Sequence, residues 1–288
     1  MSRTAEPADV RSGFTVTTVA AGGVAVLRMG GARGNALTAR SFGLLERALR
    51  SAFEGGADGV VLTGDGAVFS VGADLSAGAR ALSDLIAEDG GAAPGWLEPA
   101  GRVTALMRGA PIPVVAAVNG DAVGGGATLA LGADVRVAAP AARFGFGFAN
   151  VGVVPEGGST WLLPRLVGLA RATDWMVSGR LVPASEALLS GLVSEVVDGD
   201  PVDRAVRLAT ALGTRVSPRA RREIKLLLEE NGARSFDEAR IAESRIMREL
   251  ASGPDATEGL TAFVEGRWPR FERLSGGGAD TGTREAAR

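Results

Sequence analysis

Proton transfer in this chain is left mainly to carboxylates. There is no histidine, cysteine or tyrosine among the 288 residues, and Lys225 is the single lysine. Ser-His-Asp and Cys-His catalysis, thiolate chemistry, disulfides and histidine-based metal sites are excluded with them, and no metal site is expected. One acid stands out by its setting. Glu156 lies in Pro155-Glu156-Gly157-Gly158-Ser159-Thr160, a glycine-rich turn that opens a helix at Trp161, and Phe144, Phe146, Phe148 and Trp161 flank it in sequence. A carboxyl lined by such side chains loses hydration, which raises its pKa toward a useful base strength. The same position also suits a carboxylate that only stabilises the positive end of the following helix.

The second chemical feature belongs to the backbone. Residues 114–118 are an unbroken apolar run closed by Asn119-Gly120, and Gly124-Gly125-Gly126 then leads into Ala127-Thr128-Leu129-Ala130-Leu131, a good helix opening. A strand, a glycine turn and a helix N-terminus present free N–H groups and the positive end of the helix dipole to an anion. Glycine also lets a ligand approach that backbone closely. A glycine turn used only for tight packing has the same pattern. A further small-residue turn, Phe69-Ser70-Val71-Gly72-Ala73-Asp74-Leu75, follows the apolar run 59–63. Among the other acids, Asp74 and Asp134 read as structural and Asp121 as an ordinary turn residue, second in line to Glu156 as a base.

The scaffold that must hold these turns reads as α/β. Residues 14–19 and 24–29 suggest a hairpin, and Thr38 is an N-cap for a helix to about 53, with Phe42, Leu45, Leu49 and Phe53 at helical spacing. Strands are expected over 59–63, 114–118 and 134–138. Helices are expected over 97–107, 203–212, 218–230, 235–250 and 255–266. Residues 182–191 read as a helix and 192–197 as a short strand. Residues 78–99 are rich in alanine and glycine and form a candidate variable pocket wall. The expected organisation is a disordered segment 1–12, an α/β core 13–200, a helical region 201–272 and a flexible tail 273–288. A hydrophobic content of 46% supports a sizeable core, and a net charge of −2 gives no case for nucleic acid or an anionic membrane as partner. No apolar run reaches a membrane span and the N-terminus lacks a signal pattern, so a cytoplasmic protein is expected.

Read together, the motifs are similar to those of the enoyl-CoA hydratase/isomerase (crotonase) family. The resemblance rests on Asn35-Ala36-Leu37, then Phe69 to Leu75, then Ala117-Val118-Asn119-Gly120 with Gly124-Gly125-Gly126 and Leu129-Ala130, then Ala133-Asp134-Val135-Arg136-Val137-Ala138, then Pro164-Arg165-Leu166-Val167-Gly168. It runs in order from about Phe14 to about Phe271. It implies a spiral of ββα turns with a C-terminal helical region that builds trimers, often paired into hexamers. It also implies an acyl-CoA thioester as substrate, with no cofactor beyond the coenzyme A that the substrate carries. Two backbone N–H groups, by motif position those of Ala73 and Gly125, are implied to hold the thioester oxygen as an enolate forms. Gly72, Asp74, Leu75, Gly124, Gly126, Thr128, Phe148, Trp161 and Arg33 are expected to contact substrate. Arg267 resembles a C-terminal basic signature of the family.

The chain departs from the family's hydratase pattern in its acids. A hydratase has one glutamate two residues after its Gly-Gly-Gly, where this chain has Thr128, and a second where this chain has Phe148. Hydrating a double bond requires groups that both position and deprotonate water, so hydration is expected to be poor. Glu156 instead resembles the single base of Δ3,Δ2-enoyl-CoA isomerases, and ring-opening phenylacetate-pathway isomerases carry aspartate there. The resemblance therefore implies a double-bond isomerase. Another lyase or isomerase of the same fold, or a silent CoA-binding subunit, are the alternatives.

Overall fold

The computed structural model describes residues 3–5, 14–91 and 93–272. Among the described residues, eleven strands form two sheets. They are β1 (Arg3–Ala5), β2 (Thr15–Ala21), β3 (Val24–Gly30), β4 (Gly59–Gly64), β5 (Val68–Ser70), β6 (Val114–Val118), β7 (Asp121–Val123), β8 (Val135–Ala138), β9 (Arg143–Gly145), β10 (Leu181–Pro183) and β11 (Glu195–Val196). The larger sheet runs β1-β2-β3-β4-β6-β8-β11 and the smaller runs β10-β9-β7-β5. The pairs β4/β5, β6/β7 and β8/β9 each send their first strand to the large sheet and their second to the small one. Successive pairs stack in parallel register, Val60 beside Val114 and Val115 beside Val135. This is the expected spiral of ββα turns.

Two asparagine side chains fix the corners, Asn119 partly buried and Asn35 buried. Asn119 Oδ1 accepts the Gly64 N–H at 3.1 Å, and its Nδ2 donates to Gly66 O at 2.8 Å, tying one turn of the spiral to the preceding one. Asn35, at φ 57°, donates to Asp65 O at 3.0 Å and to Val68 O at 2.8 Å. Asparagine tolerates that left-handed backbone better than most residues because its side chain can satisfy local groups.

The helix Gly125–Gly132 is buried at all eight positions, as its apolar sequence on every face requires. Its C-terminal end meets Arg136, which is buried in full. The guanidinium donates to Ala133 O and Leu192 O at 2.7 Å each, and to Ala130 O and Leu131 O at 3.4 Å. A cation at the negative end of a helix satisfies the last carbonyls. The helix Ala39–Glu54 starts on a Thr38/Ser41 capping box and packs Phe42, Leu45 and Leu49 into the same core. The helix Pro201–Thr214 covers the other face of the large sheet with Val202, Ala205 and Ala209.

The three following helices, Pro218–Glu230, Phe236–Ala251 and Pro254–Glu265, cover little of the chain's own core. Leu228, Phe236, Ile241, Met247, Phe263 and Val264 are exposed, and Ile246 is buried. The first of them is anchored to the spiral by Lys225, whose ammonium donates to Asp134 Oδ2 at 2.7 Å and Ile112 O at 2.9 Å, and by Arg108 with Glu229. No helix among the described residues is long and apolar enough to cross a membrane.

Several expectations are corrected. Arg3–Ala5, inside the segment expected to be disordered, pairs with β2 as an antiparallel edge strand, while the rest of that segment and the 273–288 tail lie outside the described residues. The small sheet was not expected, because its strands span only three residues each and sit among turn residues. The 182–191 stretch begins as β10, and only Ala184–Leu189 is helical. A helix at Leu169–Ser178 had no counterpart in the sequence reading.

Candidate active site

The two glycine turns touch backbone to backbone. Gly72, at φ 83°, packs so closely that a Cβ there would stand 2.6 Å from Val123 O and 2.9 Å from Gly125 N. Leu37 fixes the first turn: its N–H donates to Gly72 O at 2.7 Å, and Asp74 N–H donates to Leu37 O at 2.9 Å, leaving Ala73 bridged to Leu37. Ser70 supports it from below, its hydroxyl donating to Asn35 O at 2.9 Å. In the second turn Gly124 adopts φ 52°, ψ −125°, a conformation open in practice only to glycine. Gly126 lies against Ser70 O, where a Cβ would come within 2.3 Å. Among the described residues no protein acceptor takes the N–H of Ala73 or of Gly125. Gly125 is the first residue of its helix, so its amide also carries the positive end of the helix dipole.

Glu156 comes to this place. A Cβ on Gly125 would stand 3.0 Å from Glu156 Oε1 and 3.6 Å from both Leu37 Cδ1 and Phe42 Cζ. The carboxyl therefore shares a small apolar corner with the Gly125 turn. Burial, and after it the negative charge of Glu98, pushes its pKa up to about 7. The apolar side chains at this corner are Leu37 and Phe42. Phe144 and Phe146 are buried in the main core and Phe148 at its edge.

The turn that carries Glu156 is held from three sides. Ser159, buried, donates its hydroxyl to Glu156 O and lies 2.9 Å from Thr128 Oγ1. Thr104 donates to Gly157 O at 3.1 Å. The Gly157 N–H donates to Glu98 Oε1 across 59 residues of sequence. Gly157, at φ 62°, has Thr128 Cγ2 only 2.1 Å from where a Cβ would be. Thr128, expected to contact substrate, is fully buried beneath this turn. It supports the Glu156 turn instead.

Other candidates are drawn elsewhere. Trp161 lies between Arg165, 3.7 Å from its ring centre, and Arg108 at 5.0 Å, with Gly232 of the C-terminal region against its edge. It joins the spiral to that region, and nothing places it on the Glu156 carboxyl. Arg33, itself exposed, is tied to Asp74 Oδ2 at 2.9 Å and Ser76 Oγ at 2.7 Å, in the segment that follows Ala73. Hydrogen bonds from Ser76, then Arg33, hold the Asp74 carboxyl below its ordinary pKa. Asp121 is forked by Arg143 at 2.9 and 2.6 Å, a surface pair. Arg267 is spent on Glu258 and Glu265.

The 78–99 stretch contains the helix Ala81–Glu88 and, among the described residues that follow, a loop pinned at Asp89. Trp96 Nε1 donates to Asp89 Oδ2 at 2.8 Å and Arg102 Nη2 to Oδ1 at 2.7 Å. Glu98 then opens the helix Pro99–Arg108. The sequence reading missed Glu98 because it placed that residue inside a helix. The cue available was Pro99, which belongs at the first helical position and makes the residue before it a cap.

Known proteins share this architecture. The enoyl-CoA hydratase/isomerase family matches residues 20–274. A probable enoyl-CoA hydratase of Rhodobacter capsulatus is 36% identical over 240 residues, 82% of this chain and 89% of that protein. A putative enoyl-CoA hydratase/isomerase of Bacillus subtilis is 34% identical over 210 residues, 72% of this chain and 78% of that one. Among solved structures, an enoyl-CoA hydratase from Polaromonas sp. JS666 gives a TM-score of 0.81 at 29% identity, over 89% of this chain and 99% of that chain. A probable enoyl-CoA hydratase/isomerase from Mycobacterium abscessus gives 0.79 at 32% identity, over 91% and 100%.

Proposed function

Because the chain belongs to the enoyl-CoA hydratase/isomerase family of acyl-CoA-processing enzymes, we propose that it moves a double bond along an acyl-CoA, converting 3-enoyl-CoA to 2-enoyl-CoA with Glu156 as the only proton carrier. The observation that carries this reading is the Glu156 carboxyl at the Gly125 corner, with a pKa raised to about 7. In the proposed reaction the carboxylate takes a proton from C2. The C–H electron pair moves into the thioester, and the resulting dienolate oxygen is held by the N–H groups of Ala73 and Gly125. The same carboxyl then returns the proton at C4, leaving the double bond between C2 and C3. A group that titrates near neutrality is populated in both forms needed for such a shuttle. Each fixed amide aimed at the developing oxyanion is worth roughly 3–4 kcal/mol of barrier. Gly72, Gly124 and Gly126 keep these amides in place, while Asp74, Leu75, Phe148 and Arg33 are assigned to the acyl and CoA path.

The relatives' names favour a second reading, hydration of a 2-enoyl-CoA. Against it, Thr128 and Phe148 leave no carboxylate at the two places where the family's hydratases have theirs. A spectroscopic assay with 3-enoyl-CoA and crotonyl-CoA side by side separates the readings. Isomerisation of the first with slow hydration of the second is expected. Crotonyl-CoA turnover in the ordinary enzyme range of about 1–10³ s⁻¹ without isomerisation would assign hydration instead.

A further inference from the structure

The carboxylate of Glu98 has no part in the reaction just described, yet it is built into the turn that carries it out. Glu98 Oε1 accepts the amide proton of Gly157, the residue after Glu156. Its other oxygen folds over the first turn of the helix Pro99–Arg108, where only the absence of a Cβ on Gly101 leaves room: a Cβ there would stand 2.4 Å from Glu98 Oε2. Glu98 is the N-cap residue of that helix, at the positive end of its dipole. The charged groups around it are few. Arg102, one turn along the same helix, forks Asp89 at 2.7 and 2.9 Å and reaches Glu46 at 3.9 Å; it feels the charge of Glu98 as well, but the acid it hydrogen-bonds is Asp89. The buried helix Gly125–Gly132 on the other side of Glu156 carries no titratable residue. Thus the charge that faces Glu156 is that of Glu98.

We propose that Glu98 is a positioning residue for Glu156, holding the 155–158 turn through the Gly157 amide and setting a fixed negative charge beside the Glu156 carboxyl. This rests on the reading of Glu156 as the base. A hydrogen bond alone would fix the geometry. The charge adds a second effect, since it opposes ionisation of Glu156 and keeps its proton available to be returned at C4. The upward push that Glu98 exerts on the Glu156 pKa agrees with this arrangement. The pair thus divides the work: one carboxyl shuttles the proton, and the other holds the turn that carries it.

Glu98→Gln separates the two effects, because its amide oxygen still accepts from Gly157 while the charge is gone. Glu98→Asp keeps a charge and shortens the reach. The measurement is a 13C NMR titration of the carboxyls of glutamate-labelled protein without substrate, with the Glu156 signal identified by its loss in Glu156→Gln. The Glu156 midpoint is expected to fall by about one unit in Glu98→Gln and to change less in Glu98→Asp. The acid limb of the kcat/KM profile should follow the same shift. An unchanged midpoint in Glu98→Gln would overturn the proposal, and so would equal shifts in the two variants. The titration needs no turnover, so a protein inactive on 3-enoyl-CoA would count against the isomerase reading and leave this test standing.

Discussion

Glu156 has a stability signature as well as a catalytic one. Its pKa is raised in the folded protein from 4.5 to about 7, so the folded state disfavours its ionised form. The cost is absent below the unfolded pKa, grows as pH rises between these values, and is complete above about 7, at up to about 3 kcal/mol. Glu156→Gln is therefore expected to melt several degrees above the wild type at pH 8 and together with it at pH 4.5, by calorimetry. Equal melting temperatures at both pH values would mean that the carboxyl is solvated. Thr128 gives a second residue-scale prediction. Its side chain is enclosed by Gly157 and Ser159, so Thr128→Glu forces a longer, charged group into filled space. It is expected to destabilise the fold by more than about 2 kcal/mol and to leave crotonyl-CoA hydration slow, by urea unfolding and a hydration assay. The sequence pointed to Glu156 through its turn and through the absence of other proton carriers. It could not give the corner's walls, since Leu37 and Phe42 reach the carboxyl from more than a hundred residues away.

The central helix Gly125–Gly132 depends on Arg136 for its C-terminal end. Replacing that guanidinium by methionine removes its 2.7 Å bonds to the carbonyls of Ala133 and Leu192 and its longer one to Leu131 O, while Ala130 O keeps the Ala133 N–H. Arg136→Met should cost at least about 3 kcal/mol by denaturant unfolding, and Arg136→Lys should recover only part, lacking the planar fork. A loss below 1 kcal/mol would show that water reaches those carbonyls. At this scale the sequence was legible where periodicity is long. Val114–Val118, the helix Ala39–Glu54 and the C-terminal helices all follow their apolar spacing. It was silent where elements are short: Val68–Ser70, Asp121–Val123 and Arg143–Gly145 are too brief to show alternation. Glu98 was lost for the same kind of reason. Its bond to Gly157 is a tertiary contact, and one helix boundary decides whether it is a cap or a surface residue.

At the scale of the whole molecule, the outer face of the last three helices concentrates exposed apolar side chains among the described residues. Leu228 is 75% exposed, Phe236 83% and Phe263 84%, in a region whose fold is otherwise well capped and ion-paired. Exposed apolar faces of this kind mark association surfaces. Light scattering is expected to give three or six times the chain mass, and a charged substitution such as Phe236→Glu should lower it. A monomer at micromolar concentration would mean that the helices close on nothing. The central claim is about what the protein does with one proton, and deuterium exchange tests it most directly. With 3-enoyl-CoA in D₂O, the wild type is expected to isomerise the substrate and to exchange solvent deuterium at C2. Glu156→Gln, with the amides of Ala73 and Gly125 intact, should still bind acyl-CoA while both rates fall by about 10²–10⁴-fold. Wild-type rates of exchange and isomerisation in Glu156→Gln would place the base elsewhere and contradict the account.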